Sequence, residues 1–246
     1  MYRLLEPVRT TDPRPDPAAH PAQALYIRTY LLVRVLIGAL GVLLPVMVVV
    51  IDGFGFDGSP FPRGSVSAYY YSGMREEFVV IIGATGVFLV AYKIAERNLD
   101  NLASVVAGTA AVLVAVFPTG VPSSTVPLTP LQDAIGQTTT KWIHFVSAGA
   151  FLVALAVVTY FFGLREGRRA RRPGTRPPEF WKWFHWSCTI VMGLALVWIA
   201  VTHFADWPSQ SLLVGEWVAA WAFGVSWFAK GAEWDMIRNR PAKPLD

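Results

Sequence analysis

Residues 30–51 read YLLVRVLIGALGVLLPVMVVVI, a run whose single charge is Arg34. A hydrocarbon core of about 30 Å is crossed by roughly 20 apolar residues in helix, so this stretch reads as a membrane span. Arg34 lies about one turn inside it, where its long stem is expected to snorkel back to the headgroups. Pro45 lacks a backbone donor and crowds the preceding turn, which predicts a bend in the far half of the helix.

Five further runs of the same kind follow, near Glu77–Ala95, Leu102–Phe117, Trp142–Gly163, Phe184–Phe204 and Leu212–Lys230. With 54% hydrophobic residues, 15% charged and a mean hydropathy of +0.42, the chain lies outside the range of a soluble domain. The runs are continuous rather than alternating in ten-residue segments, which excludes a barrel. The expected fold is all-α, a bundle of six transmembrane helices occupying residues 26–234. The flanking tails, 1–25 and 235–246, are rich in proline and charge and read as disordered cytoplasmic segments.

Lys and Arg concentrate in the tails, in the second connection and above all in the fourth, LREGRRARRPGTRPPEFWK at residues 164–182. The other connections hold only Arg63, Arg75 and Lys141. Basic residues stay on the cytoplasmic side, so both termini are expected there, in a multi-pass protein of the plasma membrane. No cleavable signal is evident in front of the first run. The basic loop at 165–182 is read as contacting anionic headgroups, which attract about 1 kcal/mol per basic residue near the surface, rather than nucleic acid. Trp181, Trp183, Trp186 and His185 then sit at interfacial level. The lone Cys188 excludes an internal disulfide and reads as packing. In the third run Ala103, Ala107, Ala111 and Ala115, with Gly108 beside them, form a small-residue stripe that lets another helix approach closely.

The polar residues of the opposite face carry the functional expectation. SVSAYYYSGMREEFVV, residues 65–80, places Tyr69, Tyr70, Tyr71, Arg75, Glu76 and Glu77 at the mouth of the second run. The glutamates also suit a helix N-terminus, and the tyrosines an interfacial belt. Lys141, His144 and Ser147 open the fourth run from that side, His203 and Asp206 close the fifth, and Glu216 lies one turn inside the sixth. Ionisable groups near hydrocarbon are costly and face partners in the bundle interior, with Arg75 the natural counter-ion for Glu76, Glu77 or Glu216. Tyr69, Tyr70, Arg75, Glu76, His144, Ser147, His203 and Glu216 are therefore the expected lining of one outward pocket for a lipid headgroup, a small ligand or a membrane partner, which includes a second copy of the chain.

Two other readings stay open. His144, His203, Asp206 and Glu216, with Glu76, could hold zinc in a membrane-embedded hydrolase of lipid-like substrates, although no HExxH spacing is present. Alternatively, Glu216 or the Arg75 cluster could relay protons or ions in a transporter, without the broken helices that transporters show. No cofactor is needed for the binding reading.

The segments SVSAYYYSGMREEFV, AYKIAERNLDNLASVVAGTAAVLVAVFPT, IHFVSAGAFLVALA and GEWVAAWAFGVSWFAKGAEW, from Ser65 to Glu233, resemble a family of uncharacterised bacterial multi-pass membrane proteins. The matching positions are Ser65, Ser67, Ala68, Tyr69, Tyr70, Arg75 and Glu76, then Asp100 and Asn101, Phe117-Pro118-Thr119, His144, Glu216, and Phe223-Gly224 with Ser226-Trp227. The resemblance implies the six-helix fold and the clustering of these positions; it carries no activity with it.

Overall fold

The computed structural model describes residues 21–53, 62–91, 98–168, 177–205, 207 and 210–231. Among them every regular element is helical: α1 (Pro21–Asp52), a 3₁₀ turn (Ser67–Tyr71), α2 (Arg75–Ala91), α3 (Leu99–Val116), α4 (Pro130–Ile135), α5 (Gln137–Gly167), α6 (Pro178–Phe204) and α7 (Gln210–Gly231). Five of these, α1, α3, α5, α6 and α7, are long and apolar enough to cross a membrane. The second expected run forms α2, a 17-residue apolar helix that opens on Arg75, Glu76 and Glu77.

Boundaries differ from the expected ones in physically sensible ways. α1 starts at Pro21, inside the segment read as tail, because proline suits the first helical turn, where its missing N–H is not needed. It continues as one helix through Pro45. α3 starts at Leu99 because the Asn98 side chain caps it, accepting from the Asn101 N–H at 2.8 Å. α5 extends four residues past Gly163 to Gly167. Residues 1–20 and 232–246, Asp206 and residues 169–176 of the basic loop lie outside the described residues.

The long helices form a closed ring. α2 packs on α3, α3 on α5, α5 on α6, α6 on α7, and α7 closes against α1, which also touches α2; α5 reaches α7 across the middle. Side chains facing outward are apolar: Leu32, Leu36, Leu43 and Val50 on α1, and Ile190, Leu194, Val197 and Val201 on α6, are all exposed. That is the surface of a protein solvated by hydrocarbon.

In hydrocarbon, helix association draws on close packing and interhelical hydrogen bonds, because lipid tails are as apolar as the side chains. The glycines show where. Gly38 on α1 meets Gly224 and Phe228 on α7, where a methyl at Gly38 would lie 2.7 Å from Phe228 Cα and 2.8 Å from the Gly224 oxygen. Gly86 on α2 meets Gly108 on α3 in the same way. The alanine stripe of α3 fills the rest of that seam, with Ala107 and Ala111 fully buried, and Ser104 Oγ donates across it to the Leu89 carbonyl at 2.8 Å. The middle of the bundle is apolar, built from Ile37, Leu89, Leu155, Phe162, Phe223 and Trp227.

Candidate functional site

Polar side chains gather at the two ends of the ring. At one end, the cap, the chain from Arg63 to Met74 folds over the helix ends. Ser65 and Ser72 shape the 3₁₀ turn: Ser65 Oγ accepts from the Ala68 N–H at 3.0 Å, and Ser72 Oγ donates to the Tyr69 carbonyl at 2.8 Å while accepting from Met74 N at 3.0 Å. The three tyrosines then point to three different places. Tyr69 is fully buried, and its hydroxyl accepts from the Arg63 N–H at 3.4 Å. Tyr70 is buried too, with its hydroxyl taking an Arg75 N–H at 2.9 Å and the guanidinium carbon 4.6 Å from its ring centre. Tyr71 donates to the Thr119 carbonyl at 2.7 Å and accepts from Gln132 Nε2 at 2.9 Å. Burial raises the Tyr69 and Tyr71 hydroxyls above the usual phenol value, against the opposing hydrogen bonds from Arg63 and Gln132. Tyr71 therefore stays a donor at neutral pH.

Gln132 was not among the expected residues, although its signal is in the sequence. Thr129-Pro130-Leu131-Gln132 is a capping box with proline at the first helical position, and here it starts α4. Gln132 Oε1 accepts from Thr129 N and Oγ1, and its Nε2 donates to both Tyr71 and Thr119. A side chain 1% exposed thus has all its capacity used.

Glu216 clamps the cap to α7. Its Oε2 accepts from the Val66 N–H, and one turn earlier the Leu213 N–H, free at a helix start, donates to the Gly64 carbonyl at 3.0 Å. The expected Arg75–Glu216 pair is therefore replaced: the carboxylate takes a backbone donor of the turn, and Arg75, exposed, lies over Tyr70. Among the described residues no hydrogen bond or ion pair joins Arg75 to Glu76, Glu216 or His144. Glu216→Ala would strand the Val66 N–H at about 1–3 kcal/mol. The expected result is faster tryptic cleavage at Arg63 with the helices intact, whereas Glu216→Gln, which keeps an acceptor, restores most of the protection.

His144 is 1% exposed and lies on the inner face of α5 with Ser147 one turn on, also buried. Its Nδ1 is 2.7 Å from the Phe117 carbonyl. A carbonyl only accepts, so Nδ1 carries the proton, and in the neutral imidazole Nε2 is left as a bare acceptor. That Nε2 is buried without a partner, as are Asp52 Oδ1 and Glu77 Oε2 at the same end. Asp52 uses its other oxygen to hold Arg63 Nε at 3.1 Å. His203 instead is exposed, against Phe145 with ring centres 5.8 Å apart. His144 is thus buried and His203 exposed, and no three His, Cys, Asp or Glu side chains among the described residues gather as a metal centre needs.

The opposite end, the basic end, holds what the sequence reading missed. Asp100 on α3 pairs with Arg165 on α5 at 2.6 Å, and the adjacent Glu166 pairs with Lys230 on α7. Asp100, Glu166 and Lys230 are buried. Arg34, expected to snorkel, is buried as well; it donates to the Tyr30 hydroxyl at 2.6 Å and lies 5.6 Å from the Phe162 ring centre. His185, expected at the interface, is 1% exposed, with Nδ1 2.8 Å from Ser226 Oγ, bridging α6 and α7. Cys188 is a free, half-buried thiol. No protein-family model, curated protein or solved structure matches the chain.

Proposed function

We propose that this is a six-span plasma-membrane protein, with α2 as the sixth span and both termini cytoplasmic, that works by binding rather than by chemistry. The basic residues of the tails and of the loop after α5 support that orientation, and it puts the cap on the outer face. The ligand is a small molecule or lipid headgroup rich in hydrogen-bond donors, an amine or a polyol, held under the cap. One observation carries this reading: Asp52 Oδ1, Glu77 Oε2 and His144 Nε2 are three buried acceptors at one end of the bundle, each lacking a donor. Buried polar atoms are nearly always paired in native proteins, and all three lack the same thing. Tyr69, Tyr70 and Tyr71, each fixed by its own hydrogen bond, brace the cap at that end.

Mass spectrometry of the detergent-purified protein tests the proposal. A stoichiometric co-purifying amine or polyol compound is expected. Glu77→Gln keeps the shape but removes the charge and replaces one of the two acceptor oxygens with an NH2, and it should weaken rebinding about 10- to 100-fold, the effect of losing a hydrogen bond to a charged group. An empty wild-type protein that also fails to take up such headgroups, or unchanged affinity in Glu77→Gln, would sink the reading.

A further inference from the structure

We infer that the α5–α6 corner at the basic end is a preformed site for the phosphate of an anionic phospholipid, with Lys182 as its fixed cation. Gly163 and Gly167 are one turn apart on α5, and Lys182 and Trp186 one turn apart on α6. The two pairs interlock: Trp186 presses its indole edge onto Gly163, and the Lys182 stem lies in the notch of Gly167, where a methyl would come within 2.8 Å of its Cδ. The ammonium is then held 4.4 Å from the Trp186 ring centre and 5.6 Å from that of Trp183. Both distances are within cation–π reach.

A free lysine samples many rotamers, and immobilising it costs entropy on binding. Here the notch and the indole have already ordered it. No described carboxylate pairs with Lys182, and the exposed Arg168 adds positive charge at the same helix end, where the Arg165 charge is already met by Asp100. Below the ammonium, the exposed Tyr160 and Trp183 continue the corner as an aromatic wall, with Tyr160 stacked on Trp186 at 5.8 Å. A cation above an aromatic, hydrocarbon-facing wall matches a phosphodiester above its acyl chains. It does not match a soluble anion, which has no use for the wall, or a nucleic acid, whose sugar and bases would meet hydrocarbon.

The test is the preference of the purified full chain for phosphatidylglycerol over phosphatidylcholine of equal chain length, read by native mass spectrometry. Wild type should prefer phosphatidylglycerol. Lys182→Gln should lose about fivefold of that preference, the ~1 kcal/mol of one interfacial cation. Gly167→Ala is the decisive variant, because it keeps every charge and displaces only the lysine stem; it should lose a comparable factor while its thermal stability stays near wild type. Neutralising two loop arginines, R171Q with R172Q, should leave most of the preference in place. Wild-type preference in Lys182→Gln or in Gly167→Ala would overturn the site. So would a loop variant that removes the preference as fully as Lys182→Gln does, since bulk charge would then suffice.

Discussion

Replacing Lys230 with methionine should cost about 3–5 kcal/mol of stability, the usual effect of removing one partner of a buried ion pair. Lys230 and Glu166 are both buried, and their pair ties α7 to α5 across the bundle. Removing both charges, as in Glu166→Gln with Lys230→Met, should recover much of the loss, because a buried ion pair gains little over well-packed neutral groups once its desolvation is counted. The coupling between the two positions, read from SDS-induced unfolding of the four variants, should exceed about 1 kcal/mol. Independent, additive losses would show that the pair does not join the helices.

Substituting alanine for Gly38 should be among the most damaging glycine changes at the described positions. The added methyl would run into the α7 backbone at Phe228 and Gly224, and backbone cannot rotate away, so α1 and α7 must separate. Overpacking of this sort costs about 1–3 kcal/mol, and the seam it opens is the one that closes the ring. Gly149 and Gly193 are the controls: a methyl there meets nothing within 4 Å. Alanine at those positions should leave stability unchanged or raise it by up to ~1 kcal/mol through helix propensity. Thermal melts that rank Gly38→Ala level with Gly149→Ala would contradict this picture of the seam.

What could be read from the sequence follows the range over which each signal acts. Runs such as residues 30–51 declare a helix by length and hydropathy alone, and the α3 alanines announce a close seam because both are local patterns. Glu216 could be recognised as a carboxylate needing a partner. Its partner could not, because a backbone N–H of the 3₁₀ turn has no residue type to betray it, and Arg75 was the obvious but mistaken choice. The basic end was hidden for a different reason. Arg165 and Lys230 satisfy the rule that places positive charge on one side of a membrane, so nothing in their positions asked for more. Asp100 lies 65 positions from Arg165 in the chain and Glu166 lies 64 from Lys230, and only the order of helices around the ring brings them together. Arg34 was read as snorkelling and His185 as part of the aromatic belt; the ring puts both α1 and α6 beside α7 and turns both side chains inward.

The ring order also sets when the molecule can be finished. Each of α2, α3, α5 and α6 finds a neighbour in the next long helix to leave the ribosome, but α1 packs chiefly on α7, the last of these helices to be made. During synthesis α1 therefore waits for its main partner, with the Gly38 notch open, until α7 has been made. A message truncated before Gln210 yields a protein whose α1 has lost its principal partner, and whose Gly38 notch is available to whatever helix the insertion machinery offers it.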